Sequence, residues 1–155
     1  MLSIHSRCVD IERVPTEIMV QAFADRVLVL VTQMGKVGNL IQASIPSTHD
    51  LDGLIENSDS LTSTLPAPPA GIQLTPLLGG APSEHLQTLH SLYAAQIATI
   101  IWVEEAKRSL GIERRSVVVG IALRKGRDEL DADERNTFHG VMHHLYRMLD
   151  EVPRP

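Results

Sequence analysis

The sequence predicts an α+β fold: a mostly antiparallel β-sheet with two main helices on one face. Three observations carry this. Three strand patterns, residues 17–23, 27–33 and 37–45, follow one another with only tight turns between them. Neighbours joined that closely pair antiparallel, because parallel neighbours need long crossovers. A long apolar helix pattern comes next, and last a strand pattern at 117–123 followed by an amphipathic helix. That element order places helices against an open sheet.

In the first strand Ile18, Val20 and Ala22 share one face, and Met19, Gln21 and Phe23 share the other. Ala24-Asp25-Arg26 is short and polar, as a hairpin connection requires. The second strand, Val27-Leu28-Val29-Leu30-Val31-Thr32-Gln33, is apolar on both faces. Met34-Gly35-Lys36 turns the chain at a hairpin tip, with Gly35 free to take positive φ, and 37–45 alternates as a third strand. The three form an N-terminal meander.

Residues 46–71 are rich in Ser, Thr, Asp and Pro and contain Pro66-Ala67-Pro68-Pro69, which reads as a flexible surface loop. Residues 72–78 look like a fourth strand, held to an edge or bulge by Pro76. Ala81-Pro82-Ser83-Glu84 is a helix start, and Lys107, Arg108 and Gly111 suit its end. Between them Leu89, Leu92, Tyr93, Gln96, Ile100, Val103, Ala106 and Leu110 recur at helical spacing. Residues 97–103 are apolar nearly all round, so this helix is buried on more than one side. The final helix opens near Asp131, with Phe138, Val141, Met142, Leu145, Met148 and Leu149 as its stripe. Residues 151–155 read as a frayed tail.

The second face of the sheet is then unexplained. Two helices cover one side, yet 27–31 and 117–123 are apolar on both. A Val or Leu left facing water forgoes roughly 1.5–3 kcal/mol. A second subunit packed sheet on sheet is the preferred cover, with Val29, Val31 and Val119 as probes of it. Curling of the remaining strands into a second layer is the alternative.

At 155 residues the chain fits one domain, 1–155, with 43% hydrophobic and 21% charged residues, an ordinary globular balance. The net charge of −5 argues against nucleic acid and against an anionic membrane surface. Cys8 stands alone, so no internal disulfide forms, and neither a leader pattern nor a membrane-length apolar run is read. The expected compartment is cytosol or nucleus.

Chemical motifs are weak. His139 and His143 stand at i, i+4 beside His144, a spacing that can share a metal, but Gly140 follows His139 where the zinc-protease pattern needs glutamate. Gly35-Lys36-Val37-Gly38 lacks phosphate-loop spacing and joins two strands instead of opening a helix. Asp128, Glu129, Asp131, Asp133 and Glu134 fit the dipole of a helix start better than a metal cluster. Ser116, Ser109 and Cys8 have no neighbouring His/Asp arrangement, and five aromatics are too few for a base-stacking platform. No catalytic residue, metal or cofactor is assigned. The pattern reads as a binding module.

Val14-Pro15-Thr16, Ala22-Phe23 and the run from Val27 to Gly38, ending Thr32-Gln33-Met34-Gly35-Lys36-Val37-Gly38, resemble proteasome assembly chaperone 3. The close match covers residues 14–42 and a looser one 72–149. The resemblance implies a non-catalytic chaperone of the 20S core particle that binds α-type subunits during α-ring formation. It implies a dimer with assembly chaperone 4, or self-association as a homodimer, in cytoplasm and nucleus. Thr32, Gln33, Gly35, Lys36 and Gly38 are the matching positions offered for partner binding, beside Val29, Val31 and Val119. Departures are the length of 46–71 and the extension of the first helix through Glu104 to Arg115. Two other classes stay open: a small metal-dependent enzyme using His139, His143 and His144, and a dimeric scaffold module unrelated to proteasomes.

Overall fold

The computed structural model describes residues 4–46, 65–108, 114–124 and 132–151. Its elements are β1 (Ile4–Ile11), β2 (Val14–Ala22), β3 (Arg26–Thr32), β4 (Asn39–Ser44), β5 (Gln73–Leu78), α1 (Glu84–Arg108), β6 (Ser116–Ala122) and α2 (Ala132–Asp150). The strands form one sheet in the order β1-β2-β3-β6-β4-β5, with both helices packed on it. All neighbours are antiparallel except β3 and β6, which run parallel. The α+β class, the N-terminal meander and the two packed helices are as the sequence predicts.

The meander is made of β1, β2 and β3, not of the strands at 17–23, 27–33 and 37–45. β6 inserts between β3 and β4, taking Leu30 opposite Gly120 on one side and Leu40 opposite Gly120 on the other. The segment 33–38 is therefore no hairpin tip: it carries the chain across the end of β6. Gly38 makes the crossing possible, since its φ is +72° and any Cβ there would run into the Ile121 carbonyl and lie 2.7 Å from the Ala122 Cβ. β1 joins β2 through Glu12 and Arg13, both left-handed (φ 48° and 64°). Pro76 sits in the edge strand β5, beside a register shift between Leu40 and Ile41, as a residue without an N–H requires.

The core lies between helices and sheet. Ile18, Val29, Val31, Ile41, Val119 and Ile121 project from the sheet and are at most 2% exposed. Ser83 caps α1, its hydroxyl accepting the Leu86 N–H at 3.2 Å. Every residue from Tyr93 to Val103 of α1 is buried. β4 and β6 lie beneath it, and α2 beside it through the edge-to-face Tyr93–Phe138 pair at 5.0 Å and the His85–Glu134 ion pair at 2.8 Å. A third side is covered by residues 65–72. There the Gln96 amide donates to the Pro66 carbonyl at 2.8 Å, and Pro66 and Pro69 are buried. The C-terminal part of the expected surface loop is thus packed structure; residues 47–64 lie outside the described residues. Leu92, counted with the apolar face of the helix, is 54% exposed.

The α2 stripe packs as predicted, with Val141, Met142, Leu145 and Met148 buried. The helix approaches β1 closely at Gly140, where a Cβ would lie 2.8 Å from Ile11 Cγ2. The start of this helix at Asp131, the end of α1 beyond Arg108 and the tail 152–155 lie outside the described residues.

Candidate docking surface

Strand pairing fixes which side chains look away from the helices. Met19 stands opposite Leu30, Leu30 opposite Gly120, Gly120 opposite Leu40, and Leu40 opposite Leu78. Directly paired residues share a face, so these five make one row across β2, β3, β6, β4 and β5 on the helix-free side. The next row reads Gln21, Leu28, Val118, Gln42, Thr75. The charges of this face keep to its margins: Asp10 and Glu17 on β1 and β2, and Arg26 at the start of β3.

The middle of the row has its own shape. A Cβ on Gly120 would lie 2.5 Å from Leu30 Cδ2 and 3.2 Å from Leu40 Cδ2, so both leucines lean over the glycine. The Val37 carbonyl closes in at 3.1 Å from the same point, which puts the crossing segment along the upper rim. Exposed apolar side chains stand along the crossing, Met34 at 51% and Val37 at 44%, and Leu78 at the end of the row is 66% exposed. Exposed apolar side chains grouped in this way mark an interaction surface.

The residues singled out from the sequence divide into two sets. Val29, Val31 and Val119 sit on the opposite face, fully buried beneath the helices, and cannot meet a partner without unfolding. Their sequence neighbours Leu28, Leu30 and Val118 hold the helix-free face. The one trace of this in the sequence is composition: valine fills the helix side of β3 and leucine the open side. The motif residues are instead committed to the crossing. The Thr32 hydroxyl accepts the N–H groups of Met34 and Lys36, each at 3.2 Å. The Gln33 amide donates to Thr16 Oγ1 at 3.1 Å, and its carbonyl accepts the Arg124 N–H at 3.0 Å. Gly35 has φ +67° and open space around it, and Lys36 is exposed at the bend.

The other chemical candidates fall apart spatially. His139 and His143 are exposed on α2, and among the described residues no three His, Cys, Asp or Glu are grouped to hold a metal. Burial, and then the charges of His143, Arg7 and Arg147, push the His144 pKa down. Burial likewise lowers that of His90, whose Nδ1 receives the Asn39 amide at 3.2 Å. Burial, with Glu134 adding to it, raises the Tyr93 phenol far above its usual range, and burial with Glu104 pushes Tyr146 up to about 12. Glu134 is taken up by His85, while Asp128, Glu129 and Asp131 lie outside the described residues. Cys8 is exposed on the edge strand β1. Among the described residues no helix is long and apolar enough to cross a membrane.

No model of a known protein family matches the chain, and no curated protein matches it. A solved structure of a novel chaperone complex for yeast 20S proteasome assembly is similar to it in fold. The TM-score is 0.51 at 15% sequence identity, over 95% of this chain and 98% of that one. At that identity the likeness is one of architecture: the chain has a fold resembling that of a proteasome assembly chaperone.

Proposed function

We propose that this chain is a non-catalytic chaperone of 20S proteasome assembly. It pairs through its helix-free sheet face with a related small chaperone, assembly chaperone 4, or with a second copy of itself. The pair engages α-type subunits while the α-ring forms, in cytoplasm and nucleus. The observation that carries this is the uncharged row Met19, Leu30, Gly120, Leu40, Leu78 on a fold of assembly-chaperone type. The Thr32-to-Gly38 motif supports the same reading from the sequence side.

The mechanism is thermodynamic. Two such faces stacked about 10 Å apart interdigitate their side chains and exclude water. A chaperone that binds an assembly intermediate, but not the finished particle, populates that intermediate in proportion to its affinity and leaves when later subunits compete for the surface. No bond is made or broken, and Lys36, exposed at the bend beside the row, is placed to meet an acidic patch of the client.

Affinity purification of the chain at native expression, followed by mass spectrometry, tests the reading. Recovery of α-type subunits and a second small chaperone without mature β-subunits is the expected result. Recovery of neither sinks it. Stoichiometric zinc or manganese in the purified protein favours the metal-enzyme reading built on His139, His143 and His144.

A further inference from the structure

On the opposite side of the molecule from the open sheet face, the outer surface of α2 carries Arg135, His139, His143 and Arg147, each four residues from the last and each exposed. Residues at that spacing lie along one flank of a helix. From the first to the last the row extends about 18 Å, at about 1.5 Å per residue. Of the acids of α2, Glu134 turns inward onto His85, Asp133 is in the first turn, and Asp150 follows Arg147 by three residues at the helix end. Among the described residues neither Arg135 nor Arg147 has a side-chain hydrogen bond or ion pair, and the nearby Glu151 is taken by Arg7. In a chain of net charge −5, this is a run of unneutralised donors set on a rigid element.

We propose that the outer face of α2 docks an acidic segment of a partner protein, with Arg135 and Arg147 anchoring carboxylates and His139 and His143 donating between them. Charge complementarity selects the occupant. Guanidinium groups pair carboxylates bidentately, and the two lie far enough apart to need an extended or helical acidic segment instead of a single anion. The stripe repels a basic partner and offers an apolar one nothing to bury. Because α2 and the open sheet face look in opposite directions, both can be occupied at once. The site stands independently of the proteasome reading.

The full chain is titrated into a fluorescein-labelled peptide with glutamate at every fourth position, and into its glutamine counterpart, by fluorescence anisotropy. Exposed charge pairs contribute modestly, so the glutamate peptide is expected to bind about tenfold more tightly than the glutamine one at low salt, with the difference shrinking at high salt. Arg135→Glu with Arg147→Glu abolishes the preference while circular dichroism stays unchanged. Arg124→Glu, which reverses an exposed charge beyond the end of β6 and keeps the backbone N–H, retains it. Equal binding of both peptides overturns the proposal. So does a preference that survives the double charge reversal, or one that Arg124→Glu removes as completely.

Discussion

Gly38 rests against the carbonyl of Ile121, so closely that no other residue fits between the crossing segment and the end of β6. Its backbone is also left-handed, at φ +72°. Gly35, three residues earlier, shares the sign of φ but has nothing within 4 Å of a Cβ. The two glycines therefore separate conformational strain from steric exclusion. Gly35→Ala is expected to cost about 1 kcal/mol, the left-handed penalty alone. Gly38→Ala adds displacement of the crossing from β6 and is expected to cost at least about 3 kcal/mol. Urea unfolding of both variants measures the difference, and equal losses would show that the crossing yields without cost.

The assignment of faces gives a sharper test. Leu78 is 66% exposed at the end of the open row, so Leu78→Asp should change stability by no more than about 0.5 kcal/mol. Its effect belongs to association, where an unpaired charge inside the contact weakens binding about tenfold or more. Val29 is fully buried under the helices, and Val29→Asp should unfold the chain, at a cost above about 4 kcal/mol. Sedimentation and circular dichroism together read both outcomes. Intact association in Leu78→Asp and in Leu40→Ser rules the open face out as the dock.

Helix stripes and the two-faced strands were legible because apolar periodicity is a local property. Which face of β3 meets the helices was not, since both alternate sets are apolar; only pairing with β6 and the position of α1 separate Val29 from Leu28 and Leu30. The insertion of β6 is a long-range choice that no local pattern at 33–38 encodes. β1 is hidden in the sequence for a different reason. Its inward residues are His5, Arg7, Val9 and Ile11, two of them polar, and its turn uses Glu12 and Arg13 at positive φ where Asn-Gly would have signalled a hairpin. The motif Thr32-Gln33-x-Gly35-Lys36-x-Gly38 is visible in the sequence, but Thr32, Gln33 and Gly38 hold the crossing together, and Gly35 and Lys36 are exposed at its bend.

Gln33 illustrates that division. Its amide reaches Thr16, which is fully buried and donates onward to the Val14 carbonyl at 3.0 Å, while its carbonyl holds the Arg124 N–H. The side chain thus joins the start of β2 to the end of β6. Gln33→Ala is expected to lose about 1–2 kcal/mol. Gln33→Glu should lose a comparable amount, because a carboxylate keeps the Arg124 contact but cannot donate to Thr16. Thermal unfolding compares them, and an unaffected Glu variant would show that the Thr16 bond contributes nothing.

Asn39 and His90 make the buried polar contact between β4 and α1, and it sets a pH dependence. Asn39 donates to His90 Nδ1, so the bond needs that nitrogen unprotonated. Burial lowers the His90 pKa from the ordinary 6.5, which means that the unfolded chain takes up the proton more readily than the folded one. The sign follows from linkage. The contribution to stability is complete above pH 6.5 and is lost as the pH falls from there through the folded pKa. His144, lowered mainly by burial as well, adds a change of the same sign. Melting temperature is therefore expected to hold steady from pH 8 to 7 and to drop between pH 6.5 and 5. His90→Leu should begin about 1–2 kcal/mol less stable at pH 8, with the Asn39 amide left unpaired, and then fall less steeply with acid because the buried imidazole no longer titrates against folding. If wild type and His90→Leu decline in parallel, the acid sensitivity arises elsewhere, and the His144→Leu variant then shows whether the end of α2 carries it.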